Sequence, residues 1–186
     1  MSKPLTSVDS PLRIASVHVS HGGRIGMTIC PGKKSSTSIS GHGWDRDLSI
    51  DIQAIRDWGA DTVITLMEDW ELRQYQVDNL GSEIRAAGMA WLHLPIVDGH
   101  APGAEWDAEW VSIHRENLFY DIQAGKSILI HCLGGRGRTG TVAVLLLIGL
   151  GDSIDNAITK VRAVREGMIE TTEQEEYLHQ QVVVTR

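Results

Sequence analysis

Residues 127–150 constrain this chain more than any other stretch. Ser127-Ile128-Leu129-Ile130-His131 is a short apolar run with polar ends, which reads as a strand buried on both faces. A turn with glycines at 134, 135 and 137 follows, and then a mainly apolar run over 141–150. That run is too long for an ordinary strand and too short to cross a bilayer, so it predicts a buried helix from Thr141. Strand, tight turn and helix in that order form the repeating unit of a parallel sheet.

The remaining sequence keeps the same rhythm. Residues 14–19 and 25–29 predict two short strands joined at His21-Gly22-Gly23. Residues 30–44, rich in Gly, Ser and Lys, predict a long surface loop that contains the serine-rich 35–40. Asp47 reads as the cap of a helix with Leu48, Ile52 and Ile55 on one face and Gly59 at its end. Strands at 62–67 and 90–96 then alternate with a helix at 79–87 and a longer one that ends at Gly125. Trp106, Trp110 and Ile113 start that longer helix, with Trp106 and Trp110 as one packed face. Ile154, Ala157, Ile158 and Val161 predict an amphipathic helix. A last one follows Thr171 or Thr172, with Gln174 or Glu175 completing a capping box. The fold class is therefore α/β: a mostly parallel central sheet of about five strands, flanked by helices on both faces. Ligands of such folds sit beyond the carboxyl ends of the strands, and after residues 127–131 that position is Cys132.

Composition narrows the classes. At 186 residues with 42% apolar content, one domain over 1–186 is expected, with 1–12 as a flexible lead-in. The polar N-terminus lacks the apolar centre of a signal peptide, and no run is long enough for a membrane span, so a cytosolic location is expected. A net charge of −7 disfavours a nucleic-acid partner. Two distant cysteines, Cys30 and Cys132, imply no disulfide framework, and the histidines show no metal spacing, so no cofactor is expected.

The turn after the strand carries the chemistry. Glycines let successive backbone N–H groups point inward, and the following helix adds its positive end, which together make a cradle for a dianion. The same positive field favours the thiolate form of Cys132 at its base. Arg138, six positions on, brings a planar fork that can hold two phosphate oxygens. Leu133, Gly134, Gly135, Arg136 and Gly137 supply the cradle's backbone, and Thr139 is placed to offer a hydroxyl to the sulfur. Attack by the thiolate on phosphorus would give a phosphocysteine that water hydrolyses.

Cysteine, five residues, arginine and then threonine resembles the signature of the protein tyrosine and dual-specificity phosphatases. Cys30-Pro31-Gly32-Lys33-Lys34, Trp58-Gly59-Ala60, Glu71-Leu72 and Leu94-Pro95-Ile96-Val97-Asp98-Gly99 extend the likeness. In the same order they resemble the kinase-associated dual-specificity phosphatases, also called the cyclin-dependent kinase inhibitor 3 family. The resemblance implies a general-acid aspartate on a mobile loop upstream of the cysteine. Asp98, in Asp98-Gly99-His100-Ala101-Pro102-Gly103, fits it, while Asp107 reads as a first-turn helix residue. His131 precedes the cysteine as in the family, with backbone hydrogen bonding as its implied role. Gln174 falls where tyrosine phosphatases place a water. Position 170, however, is glutamate in place of glutamine, so a plain helix-surface role for Gln174 stays open. Arg136 stands where tyrosine-specific enzymes are usually apolar; it either favours a more highly charged substrate or points to solvent. Lys33 and Lys34 either rim the site or, more simply, belong to a solvated loop, and Cys30 is a thiol able in principle to trap an oxidised Cys132.

The resemblance implies a metal-independent hydrolase acting on a phosphorylated protein, at phosphotyrosine and also at phosphoserine or phosphothreonine. An inositol-phosphate phosphatase is the alternative that Arg136 motivates, and a phosphate-binding module without turnover is a third.

Overall fold

Five strands form the central sheet of the computed structural model, which describes residues 3–20, 22–36 and 41–184, the last three of these by backbone alone. Their order is β2 (Ala15–His18), β3 (Arg24–Thr28), β8 (Ser127–His131), β6 (Thr62–Thr65) and β7 (Ala90–His93). β3, β8, β6 and β7 run parallel, and only β2 is antiparallel to its neighbour. The expected α/β class, largely parallel with helices on both faces, is the architecture found. The hairpin of β2 and β3 is also the expected one, although His21 of its turn lies outside the described residues.

Every residue of β8 is buried, and its side chains serve two cores in alternation. Ile128 and Ile130 join Ile25, Met27 and Ile64 under α5 (Arg115–Gln123), α6 (Gly137–Gly149), α7 (Ile154–Val164) and α8 (Thr172–Val184). Leu129 joins Val63 on the opposite face, under α1 (Leu48–Trp58), α2 (Asp69–Gln74) and α3 (Leu80–Ala86). A strand covered on both faces has no polar side to show, which is why its sequence reads as a continuous apolar run. Thr28, His131 and Thr65 lie side by side in the register, so β3, β8 and β6 end level. The turn after His131 therefore opens at a shared carboxyl edge.

Local signals explain most helix ends. The Asp47 side chain accepts the Ile50 N–H at 3.0 Å, and Gly59 closes α1 at φ 92°. Thr171 Oγ1 accepts the Gln174 N–H, while Gln174 Oε1 reaches back to the N–H groups of Glu170 and Thr171, a reciprocal cap at the start of α8.

Four expectations need correction. Residues 30–44 are not a surface loop: Cys30, Pro31, Gly32 and Lys33 are buried. β4 (Lys34–Ser35) pairs with β5 (Trp44–Asp45), and residues 37–40 lie outside the described residues. The lead-in is tied down as well, because β1 (Leu5–Thr6) runs parallel to β5 and completes a small second sheet. α6 begins at Gly137, four residues before the expected Thr141, because its first turn is built from buried polar residues that carry no apolar pattern. Finally, the helix over 104–123 contains a π turn at Trp110–His114 between α4 (Ala104–Glu109) and α5. Trp106 and Trp110 stack at 5.2 Å as expected, but the wider turn rotates Ile113 outward, leaving it 57% exposed.

Candidate active site

Two glycines shape the turn from β8 into α6, one against backbone and one against side-chain ends. Gly135 has φ 63°, and a Cβ there would run into the Thr28 carbonyl and stand 2.8 Å from the Ile29 nitrogen. A Cβ on Gly137 would stand 2.7 Å from Glu170 Oε2. The turn is thus pressed against β3 on one side and against the segment before α8 on the other. Cys132 lies at its start, 3% exposed. The N–H groups of Leu133, Gly134, Gly135 and Arg136 have no acceptor among the described residues.

Arg138 is the most constrained side chain here, at 1% exposure. Glu71 of α2 takes both terminal nitrogens, with Oε2 on Nη1 at 2.7 Å and Oε1 on Nη2 at 2.9 Å. Nη1 also donates to the Ile96 carbonyl at 3.0 Å. Burial works against the charge, but the hydrogen bonds to Glu71 override it, so the guanidinium binds its proton more tightly than usual. The edge formed by Nε and Nη2 is different. Nε has no partner among the described residues, and Nη2 contacts Asp98 Oδ1 at 2.7 Å. Asp98 itself is 64% exposed, so this contact closes the mouth of the site and not its floor. Thr139 is fully buried, and its Oγ1 likewise has no partner among the described residues. A nucleophilic residue, a set of free N–H groups, an open guanidinium edge and a free hydroxyl share one end of the sheet. Such an arrangement can receive a tetrahedral oxyanion.

A family model described as "Polymorphic toxin system, DSP-PTPase phosphatase" matches residues 43–152, more than half of the chain. The chain belongs to the DSP-PTPase family. These dual-specificity and tyrosine phosphatases are cysteine-dependent enzymes. Cyclin-dependent kinase inhibitor 3 of Sus scrofa is 30% identical over 96% of this chain and 82% of its own length. The Rattus norvegicus protein of the same name is 35% identical over 73% of this chain, and the match spans 63% of that protein. The crystal structure of kinase associated phosphatase, with its catalytic site cysteine substituted by serine, superposes with a TM-score of 0.80. It is 28% identical, and the match covers 94% of this chain and 96% of that one.

Around this phosphatase loop the supporting residues are only partly those expected. His131 is fully buried, and burial pushes its pKa down to about 3. A neutral ring with Nδ1 facing the Cys132 carbonyl at 3.4 Å must carry its proton there, so Nε2 accepts from Thr65 Oγ1 at 2.7 Å. Thr65 in turn accepts the Trp91 indole N–H at 2.8 Å. This chain of hydrogen bonds from β7 through β6 to the cysteine carbonyl had no signal in the sequence. Gln174 is not a surface residue: it is buried, and its Nε2 donates to the His100 carbonyl at 3.2 Å. Glu173 binds the same segment, accepting from Ala101 N at 3.1 Å and contacting His100 Nδ1 at 3.1 Å. The segment that carries Asp98 is therefore pinned to the first turn of α8. Glu170 accepts the Gly137 N–H at 2.9 Å.

Lys33 corrects the expectation of a solvated loop residue. It is 5% exposed, donates to the Leu133 carbonyl at 3.1 Å and lies over the Trp44 ring. Burial pushes its pKa down to about 8, against the pull of Cys30 and Cys132. Lys34 is paired with Asp45. Cys30 is a buried free thiol whose N–H also meets the Leu133 carbonyl, and burial pushes its pKa up. Arg136 is exposed, its side chain running over Gly167. Arg165, which the sequence did not single out, donates from Nη2 to the Gly134 carbonyl at 3.0 Å. Asp107 hydrogen-bonds Tyr177 in the helix packing, away from the loop.

Proposed function

We propose that this single unit hydrolyses phosphomonoesters on proteins through a phosphocysteine intermediate. The observation that carries the reading is Arg138, gripped by Glu71 on one edge, with Nε free among the described residues and its charge felt by Cys132. An arriving phosphate takes the N–H groups of the loop and the Nε and Nη2 positions of Arg138, displacing Asp98 from Nη2. The Cys132 thiolate attacks phosphorus, the bond to the ester oxygen breaks, and Asp98 in its protonated form gives that oxygen its proton. Water then attacks the phosphocysteine and passes a proton to Asp98. The phosphorus–sulfur bond breaks and the sulfur leaves as thiolate, stabilised by a hydrogen bond from the Thr139 hydroxyl, which keeps its proton. His131 keeps the cysteine carbonyl in place and takes no part in proton transfer. Free thiols suit a reducing compartment such as the cytosol.

Turnover of p-nitrophenyl phosphate in the presence of a chelator is the direct test. It should disappear in Cys132→Ser, and Asp98→Asn should slow aliphatic esters far more than the nitrophenyl ester. Tight phosphate binding without turnover would leave a recognition module in place of an enzyme. Arg136, exposed beside the loop, favours a second reading in which the ester belongs to an inositol phosphate. Comparing phosphotyrosine and phosphothreonine peptides with soluble inositol phosphates decides between the two.

A further inference from the structure

A groove of about 350 Å³ runs between the start of α2 and the segment that follows β7. Both of its lips belong to the clamp on Arg138. Glu71 Oε2, which grips the guanidinium, also accepts the Glu68 N–H at 2.8 Å, so the lip formed by Glu68, Asp69 and Trp70 is fastened to that carboxylate. Pro95 and Val97 on the other lip flank Ile96, whose carbonyl takes Arg138 Nη1, and Val97 is the residue before Asp98. The groove therefore leads away from the mouth of the phosphate site. We propose that it binds a lysine or arginine side chain that flanks the phosphorylated residue of a protein substrate. The inference rests on the reading of the loop as a protein phosphatase site and adds to it a preference for basic sequence around the target.

The walls suit a long side chain with an apolar stem and a cationic end. Trp70 and Val97 are large and apolar, yet they stand 50% and 53% exposed. Trp70 is held in place, since its one polar atom, Nε1, donates to Glu68 Oε2 at 2.9 Å. An aliphatic stem can lie along Trp70, Pro95 and Val97, and a cation gains from a neighbouring indole ring. Asp69 supplies the opposite charge. It is exposed, and among the described residues its side chain meets only His93 Nδ1, at 3.8 Å. The His93 ring faces the Met67 carbonyl with Nε2 at 2.7 Å, so a neutral ring carries its proton there and has none at Nδ1 for Asp69.

Arg73 is the one cation on the lining, and it works against the proposed occupant. It is exposed, and its guanidinium makes no hydrogen bond or ion pair among the described residues. It stands four residues after Asp69 on α2, a spacing at which the two could pair, but no such pair is formed. The carboxylate of Asp69 is thereby left for an incoming cation. Glu68 and Asp69 on the groove and Asp98 at its end set three carboxylates against this single guanidinium, in a protein of net charge −7. The balance favours a basic side chain over an acidic one.

The test is binding, measured by calorimetry on the Cys132→Ser chain, so that it stands apart from turnover. Phosphotyrosine peptides of otherwise neutral sequence carry lysine, alanine or glutamate at one position, scanned through the neighbouring residues on either side. At the best position the lysine peptide should bind about ten-fold more tightly than the alanine peptide, and the glutamate peptide more weakly than either. The lysine gain should fall below about three-fold in Asp69→Asn and in Trp70→Ala, and should shrink as salt is raised. Asp69→Lys should reverse the order in favour of glutamate, which mere loosening of α2 could not do. Arg73→Gln, which removes the competing cation, should enlarge the lysine gain. Equal affinity for the three peptides at every position overturns the proposal, as does a lysine gain that survives both Asp69→Asn and Trp70→Ala. Failure of every phosphopeptide to bind overturns it together with the protein-substrate reading. Loss of wild-type turnover with the binding pattern intact would count against the phosphatase reading alone.

Discussion

Two buried arginine–carboxylate pairs sit on the same side of this protein and do different things. Arg46 offers Nε and Nη2 to Asp51, and Nη1 to a carbonyl, so every nitrogen is occupied. Arg138 offers Nη1 and Nη2 to Glu71, which leaves Nε without a partner among the described residues and Nη2 shared with a surface aspartate. Burial is the same in both, and so is bidentate pairing. The difference lies in which edge of a planar group faces its carboxylate. Buried ion pairs are poor evidence of stability or of function by themselves. In the proposed reading, the unused donor is what would make Arg138 a receptor and leave Arg46 a strut.

The comparison can be broken most sharply by making the same change twice. Arg138→Lys should lower kcat on the order of 10²–10³-fold, since a point charge cannot span two oxygens. Arg46→Lys should cost about 2–3 kcal/mol of stability, seen in denaturant unfolding, and should leave the folded fraction active. Equal loss of activity in both variants would sink the distinction. Next in size is Glu71→Gln, which keeps the shape of the grip but removes its charge. A fall in kcat of about ten-fold or more is expected as Arg138 loses its fixed orientation, with KM for p-nitrophenyl phosphate changing less. An unchanged kcat would mean that the loop alone orients the arginine.

Smaller effects appear as pH dependence. The pKa of His131 lies near 3 when folded, against an ordinary 6.5, so the unfolded chain binds the extra proton between those values. Stability from this group is therefore complete above about pH 6.5 and is lost as pH falls toward 3. His131→Gln should show a flatter acid limb in its thermal midpoints than the unaltered chain. Lys33, lowered to about 8, should lose its charge beside Leu133 as pH rises through that value. The kcat/KM profile should then decline above about pH 8, and Lys33→Arg should move that decline upward.

How much of this was legible depends on where each signal is stored. β8 could be read because its pattern is local and both its faces are apolar. The shared placement of Cys132 and Arg138 could be read because both belong to one short strand-to-helix turn. Glu71, which decides what Arg138 can do, lies 67 residues away on a six-residue helix with hardly any apolar pattern. Its pairing exists only once the sheet brings β6 beside β8. Lys33 misled because a lysine among glycines and serines is nearly always solvated, whereas here Trp44 and the Leu133 carbonyl receive it. Ile113 turns outward because a π turn breaks the 3.6-residue period that carries Trp106 and Trp110.

Glu173 and Gln174 fasten the stretch around His100 to the opening turn of the final helix, 72 to 74 residues further along the chain. The timing of any movement by Asp98 is thereby handed to a distant part of the polypeptide. A change that loosens this opening turn would loosen its grip on the segment that carries Asp98.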